Sequence, residues 1–144
     1  MAQPATIIVH NIDHARAALD AAHETAIPIR LMSAPGAVGY AGCAWFMAMV
    51  GAARAEHPDN KSEAVMDCGT HPGHALGAIR AGVEAIQAKL PAKTREKIAA
   101  IANKAGVTFI AARKDSHSHI LDLLDAPDPQ RTTLDWLHAK HTRK

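Results

Sequence analysis

The spacing of apolar positions changes several times along the chain, and each change marks an element boundary. Residues 6–9 form a short apolar run, and Asn11 followed by Ala15, Ala18, Leu19 and Ala22 supplies a cap and then helical spacing. Strand then helix is predicted. Residues 27–32 repeat the strand signal, Ser33-Ala-Pro-Gly36 is turn chemistry, and residues 40–55 read as a helix with few polar positions. A helix of that kind is expected to be buried on more than one side.

The alternation continues past His57-Pro-Asp-Asn60. Residues 63–66 predict a third strand ending at Asp67-Cys-Gly69, and residues 72–81 carry helical spacing through Ala75, Ala78 and Ile79. Residues 83–88 predict a fourth strand. Residues 93–105 place Ile98, Ile101, Ala102 and Ala105 on one helical face with Gly106 as a stop, and residues 107–112 predict a fifth strand. Ser116 is placed to cap a helix carrying Ile120, Leu123 and Leu124, and Pro127 with Pro129 precedes a last helix over residues 133–141.

Strand–helix units in succession require right-handed crossovers and a mostly parallel sheet. The expected fold is therefore α/β, with about five parallel βα units in a partial TIM-barrel-like wall or an open doubly wound sheet. Residues 1–126 are expected to form the βα domain, and residues 127–144 a proline-containing connection and a terminal helix packed on it. The strand ends at His10, Ser33, Asp67, Ala88 and Arg113 should share one edge, where functional residues of such folds gather.

Length restricts this picture, because eight βα units take roughly 200–250 residues and the chain has 144. A closed barrel in one chain is not expected, and an unpaired strand edge then calls for a homodimer or for cover by the terminal helix. With aromatic residues at 3%, the core must be built from Ala, Ile, Leu, Val and Met, the set expected where helices cover both faces of a parallel sheet.

A net charge of +2 without a concentrated basic patch points away from nucleic acid. Cys43 and Cys68 make no disulfide framework and no leader is read before Thr6, so a cytoplasmic protein is expected. Residues 31–53 carry no charge, but Pro35, Gly36, Gly39, Gly42 and Gly51 interrupt them. The strongly apolar part, residues 43–50, falls far short of the about 20 residues of a membrane helix. No membrane partner is expected.

Chemistry concentrates in Asp67-Cys-Gly-Thr-His-Pro-Gly-His74, followed by Ala78-Ile-Arg-Ala-Gly-Val83. His10, Cys68 and His71 form a candidate zinc-ligand set by residue type, with His74 a turn further on. Lys89, Arg113 and Lys114 follow strands and form a candidate anion pocket beside Ser33. His117, His119, His138 and His141 read as surface residues.

The same segments resemble class II fructose-bisphosphate aldolases. That family carries a strand ending in Asp-His-Gly and then a helix ending in an Ala-Ile-x-x-Gly-Phe-like turn, a layout similar to Asp67, Gly69, Ala78, Ile79 and Gly82. Val9-His-Asn-Ile-Asp13 looks like the family's Val-Asn-Asn-Leu-Glu segment, and Ile27-Pro-Ile with Ser33, Gly36 and Tyr40-Ala-Gly42 looks like its second strand and loop. The resemblance covers most of residues 6–113 and implies Asp67 as the proton-donating acid, with Asn11 and Ser33 at the substrate. Cys68 stands where the family has its first zinc-ligand histidine, and the later ligand strands have no counterpart. The expectation is an aldolase-like domain without full activity that binds a small anionic, phosphorylated metabolite or serves in assembly. The alternative is a zinc-dependent lyase rebuilt around Asp67, Cys68 and His71 across a dimer, with zinc as its cofactor.

Overall fold

Asn11 opens the first helix by accepting the His14 N–H on its side-chain oxygen at 2.8 Å. In the computed structural model, which describes residues 5–112 and 120–142, this cap lies between strand β1 (Ala5–Ile8) and helix α1 (Ile12–Thr25). The chain continues through β2 (Ile29–Met32), α2 (Ala37–Tyr40), α3 (Cys43–Arg54), β3 (Ser62–Gly69) and α4 (Pro72–Ala81). It ends with β4 (Ala85–Ala88), α5 (Ala92–Ala105), β5 (Thr108–Ala111), β6 (Ile120–Asp122) and α6 (Pro129–Thr142).

The strands form one all-parallel sheet of six in the order β5-β4-β3-β2-β1-β6. Alternation along each strand divides its side chains between two faces. Ile7, Leu31, Ala64, Met66 and Ile86 point into the main core, where they meet Leu19 of α1, Phe46 of α3, Ile79 of α4, Ile98 of α5 and Leu137 of α6. Each fully buried side chain of this kind contributes roughly 1.5–3 kcal/mol. Ile8, Met32, Val65 and Ala85 lie on the opposite face, at most 8% exposed, and pack with Ile110 and Ile120.

No described helix covers that second face, so the expectation of helices on both faces is corrected. Side chains of neighbouring strands bury one another there, as in a barrel interior. Running β1 to β5 in unbroken order with the helices on one side matches the partial-barrel form of the expected fold. A doubly wound sheet places helices on both faces.

Three other expectations change. The helix predicted to carry Ile120 is strand β6, registered Thr6↔Ile120 and Ile7↔Leu121 against β1; its Ser116 cap lies outside the described residues. Ile120 and Leu121 pack on opposite faces of the sheet, which a strand permits and a helix stripe does not. The helix predicted over residues 40–55 is divided at Gly42, whose φ of 88° and ψ of 156° suit only glycine. The last helix begins at Pro129, because proline is tolerated in a first turn and Asp128 accepts the Arg131 N–H at 3.2 Å. Among the described residues no helix is long and apolar enough to cross a membrane.

At the amino-terminal end of the sheet, Glu84 ties three elements together. It accepts from Arg54 of α3 at 2.5 and 2.9 Å and from the Ala64 N–H of β3 at 2.9 Å. The Arg54 hydrogen bonds hold its carboxyl below the usual range, against the opposing effect of burial. A depressed folded-state pKa contributes stability above the ordinary value of 4.5 that is lost as pH falls through the lower folded value. Glu84→Gln is therefore expected to cost about 0.5–1 kcal/mol at pH 7, a modest figure because the pair is partly solvated. Melting curves at pH 7 and pH 3 check this: the gap between the two proteins should close in acid, and a gap that widens contradicts the assignment.

Candidate functional site at the carboxyl ends of the strands

Ser33 follows β2 directly, and its N–H extends the ladder to the Val65 carbonyl at 3.0 Å. Its hydroxyl is 1% exposed and accepts the Asp67 N–H at 2.9 Å, joining two neighbouring strand ends through one side chain. Asp67 alternates with Val65, so it belongs to the inner face of the sheet at its carboxyl rim. Its carboxylate accepts the Gly69 N–H at 2.9 Å. Burial raises its pKa, and the Gly69 hydrogen bond opposes that rise.

The register between β3 and β4 shifts between Asp67 and Gly69. Gly69 takes a φ of 59°, a left-handed conformation that costs other residues roughly 1–2 kcal/mol. The resulting bulge turns the Gly69 carbonyl to the Lys89 N–H at 2.8 Å, which brings β4's end into the same set. Lys89 itself is exposed, and Gln87 stands beside Asp67 in register. Ser33, Asp67, Gly69 and Lys89 are thereby linked through three strand ends.

The remaining predicted residues fall in different places. Asn11 spends its side-chain oxygen on capping α1, which leaves its amide N–H groups as donors. His71 is exposed at the start of α4, its ring 4.8 Å from that of His74. His10 bonds through Nε2 to Asp122 Oδ1 of β6 at 2.7 Å, and its backbone N–H donates to His14 Nδ1 at 3.1 Å. His14 is buried, and burial followed by the neighbouring His10 lowers its pKa, which suits a neutral ring acting as acceptor. Arg113, Lys114, His117 and His119 lie outside the described residues.

Cys68 does not join His10 and His71. It shares the parity of Ala64 and Met66, is 1% exposed in the helix-side core, and donates to the Met66 carbonyl at 3.6 Å. Burial, with Cys43 and Asp67 nearby, pushes its thiol up to about 12, far from the thiolate that binds zinc. Among the described residues no three His, Cys, Asp or Glu side chains are grouped closely enough to hold a metal ion. The three residues do not fit a zinc centre within this chain.

The motif around Asp67 pointed to the rim, but His14, Gln87 and Asp122 were not singled out by it. Only His14 left a signal, as a titratable residue in the first turn after an Asn cap. Asp122 meets His10 across 112 residues of chain, a pairing that no local pattern encodes.

Known proteins resemble this chain in part. No family model matches the chain. A plasmid fructose-bisphosphate aldolase of Cupriavidus necator is 36% identical over 78 residues, which is 54% of this chain and 23% of that protein. A crystal structure from Coccidioides immitis, of a candidate fructose-1,6-bisphosphate aldolase, shares the fold with a TM-score of 0.64 at 19% identity, over 74% of this chain and 44% of that one. The chain thus spans less than half the length of either. The first supports an aldolase-family relationship, and the second shows the fold.

Proposed function

We propose that this chain is an aldolase-like domain that binds a small phosphorylated metabolite at the carboxyl rim of its sheet and lacks full aldolase activity. The observation that carries the reading is the hydrogen-bonded set in which Ser33 Oγ holds the Asp67 backbone and the Gly69 N–H holds its carboxylate. A half-buried acid with a raised pKa keeps its proton closer to neutral pH than an exposed one, so it can donate to a ligand oxygen. Lys89, exposed at the adjoining end of β4, offers a point charge to a phosphate. The exposed Asn11 amide supplies further donors, while the buried Ser33 acts by holding Asp67. Full activity is not expected, because Cys68 occupies the position matched to the family's first zinc ligand and is turned into the helix-side core.

Calorimetric titration with fructose 1,6-bisphosphate tests this. Binding is expected, weakened about tenfold by Lys89→Ala, equivalent to about 1.4 kcal/mol, with no cleavage of the sugar. Absence of binding overturns the reading. Cleavage that requires one zinc per chain and is lost in Cys68→Ser would replace it by the zinc-dependent lyase.

A further inference from the structure

The rim carries a second polar arrangement, on β1 and β6. His10 and Asp122 follow Ile8 and Ile120 by two residues, as Asp67 follows Val65 and Gln87 follows Ala85, so all four keep the parity of the inner apolar layer. A row of polar groups thus lies one step nearer the carboxyl ends than a floor of Ile8, Val65, Ala85 and Ile120.

His10 is held from two sides. Its backbone N–H donates to His14 Nδ1 at 3.1 Å, and its ring bonds through Nε2 to Asp122 Oδ1 at 2.7 Å, an oxygen that also accepts the Leu124 N–H at 2.9 Å. A carboxylate only accepts hydrogen bonds, which places the imidazole proton on Nε2 and leaves the lone pair on Nδ1. Among the described residues no group hydrogen-bonds to that nitrogen, and 18% of the side chain is exposed. A carboxylate that fixes the tautomer of a histidine and stabilises the imidazolium makes it a general base. The other titratable groups nearby lie on α1: His14, which burial and then His10 hold toward its neutral form, and Asp13.

Asp67 supplies the opposite function. It stands on β3 with only β2 between it and β1, and neighbouring strands lie about 4.8 Å apart, so the two groups flank a space roughly 10 Å wide at the backbone and narrower between inward side chains. Burial raises the Asp67 pKa and so holds its proton nearer to neutral pH. One group arrives with a lone pair and the other with a proton, the division that acid–base catalysis needs.

We infer that the rim isomerises a phosphorylated α-hydroxyaldehyde or α-hydroxyketone by proton transfer, with His10 as base, Asp67 as acid and Asp122 as the residue that positions His10. That role rests on the phosphorylated ligand proposed above and narrows it to a sugar phosphate with a free hydroxyl beside its carbonyl. His10 Nδ1 takes the proton from the hydroxyl-bearing carbon, the C–H electron pair forms a carbon–carbon double bond, and the carbonyl oxygen takes the Asp67 proton. The ene-diol then gives its other hydroxyl proton to Asp67, that oxygen becomes the new carbonyl, and the imidazolium protonates the neighbouring carbon. Both groups end as they began, without a co-reactant.

Proton NMR of glyceraldehyde 3-phosphate, ribose 5-phosphate and glucose 6-phosphate, each incubated with the whole chain with and without EDTA, tests this. Conversion of at least one aldose to its ketose is expected in both conditions. His10→Gln should slow it at least 100-fold, with calorimetric binding of that sugar and far-ultraviolet dichroism unchanged. Asp122→Asn should lower kcat at least tenfold at constant KM, and His71→Ala, exposed at the start of α4, should change neither. Binding without conversion of any of the three overturns the inference and leaves the proposed ligand site standing, whereas absence of binding overturns both. Conversion that is indifferent to His10→Gln and Asp122→Asn, or that is seen only without EDTA, also overturns the inference.

Discussion

Phe46→Ala is expected to lower the free energy of unfolding by about 3–5 kcal/mol. Phe46 is 1% exposed and is the bulkiest side chain fully enclosed by the core. It seats α3 against the sheet and also borders a solvent-open pocket of about 90 Å³ lined by Met47, Val50, Ala64, Val83 and Glu84. Removing the ring deprives that wall of its largest packed side chain. Because domains are stable by only about 5–15 kcal/mol, the loss is a large fraction of the whole. Urea unfolding followed by far-ultraviolet dichroism measures it. A loss under about 1 kcal/mol would mean that α3 is not seated through this residue.

Ser33→Ala is expected to cost about 1–3 kcal/mol, the penalty for leaving a buried donor without its acceptor. The Asp67 N–H would lose Ser33 Oγ, its partner at 2.9 Å, at a position where Ser33 is 1% exposed. The same substitution should weaken ligand binding, because Asp67 is then held from one side only, by Gly69. Lys89→Ala separates the two effects. Lys89 is exposed, so its removal should change stability by no more than about 0.5 kcal/mol while still weakening binding. Paired denaturation and calorimetry on both variants check this. Equal stability losses in the two would deny Ser33 its special place.

Much of the framework was legible because local chemistry and final structure agree. Residues 72–81 were predicted as helix and are α4, opened by Pro72 and stopped by Gly82 at a φ of 80°. Gly106 ends α5 in the same way, at 76°. β6 was not legible, since its three residues hold too little pattern and its partner β1 lies more than a hundred residues earlier. Nor was the single helix layer, because strands apolar on both faces read alike whether helices or other strands cover them.

At the site, the position of Asp67 at a strand end followed from its motif. The orientation of Cys68 also lay in the sequence, as shared parity with Ala64 and Met66, but its motif matched a ligand position and suggested the opposite face. Its burial among the helix-side residues decided the matter, despite the bulge that follows Asp67. The link from His10 to Asp122 depends on how the last strand returns to the first, which only the assembled sheet determines.

Amide chemical shifts under titration with fructose 1,6-bisphosphate give the most direct measurement of a ligand site at the strand ends. Ser33, Gly69 and Lys89 should shift together and saturate at one ligand per chain. Ser62 and Glu84, at the opposite end of the same sheet, should remain in place. Shifts confined to Ser62 and Glu84, or none anywhere, would contradict the account.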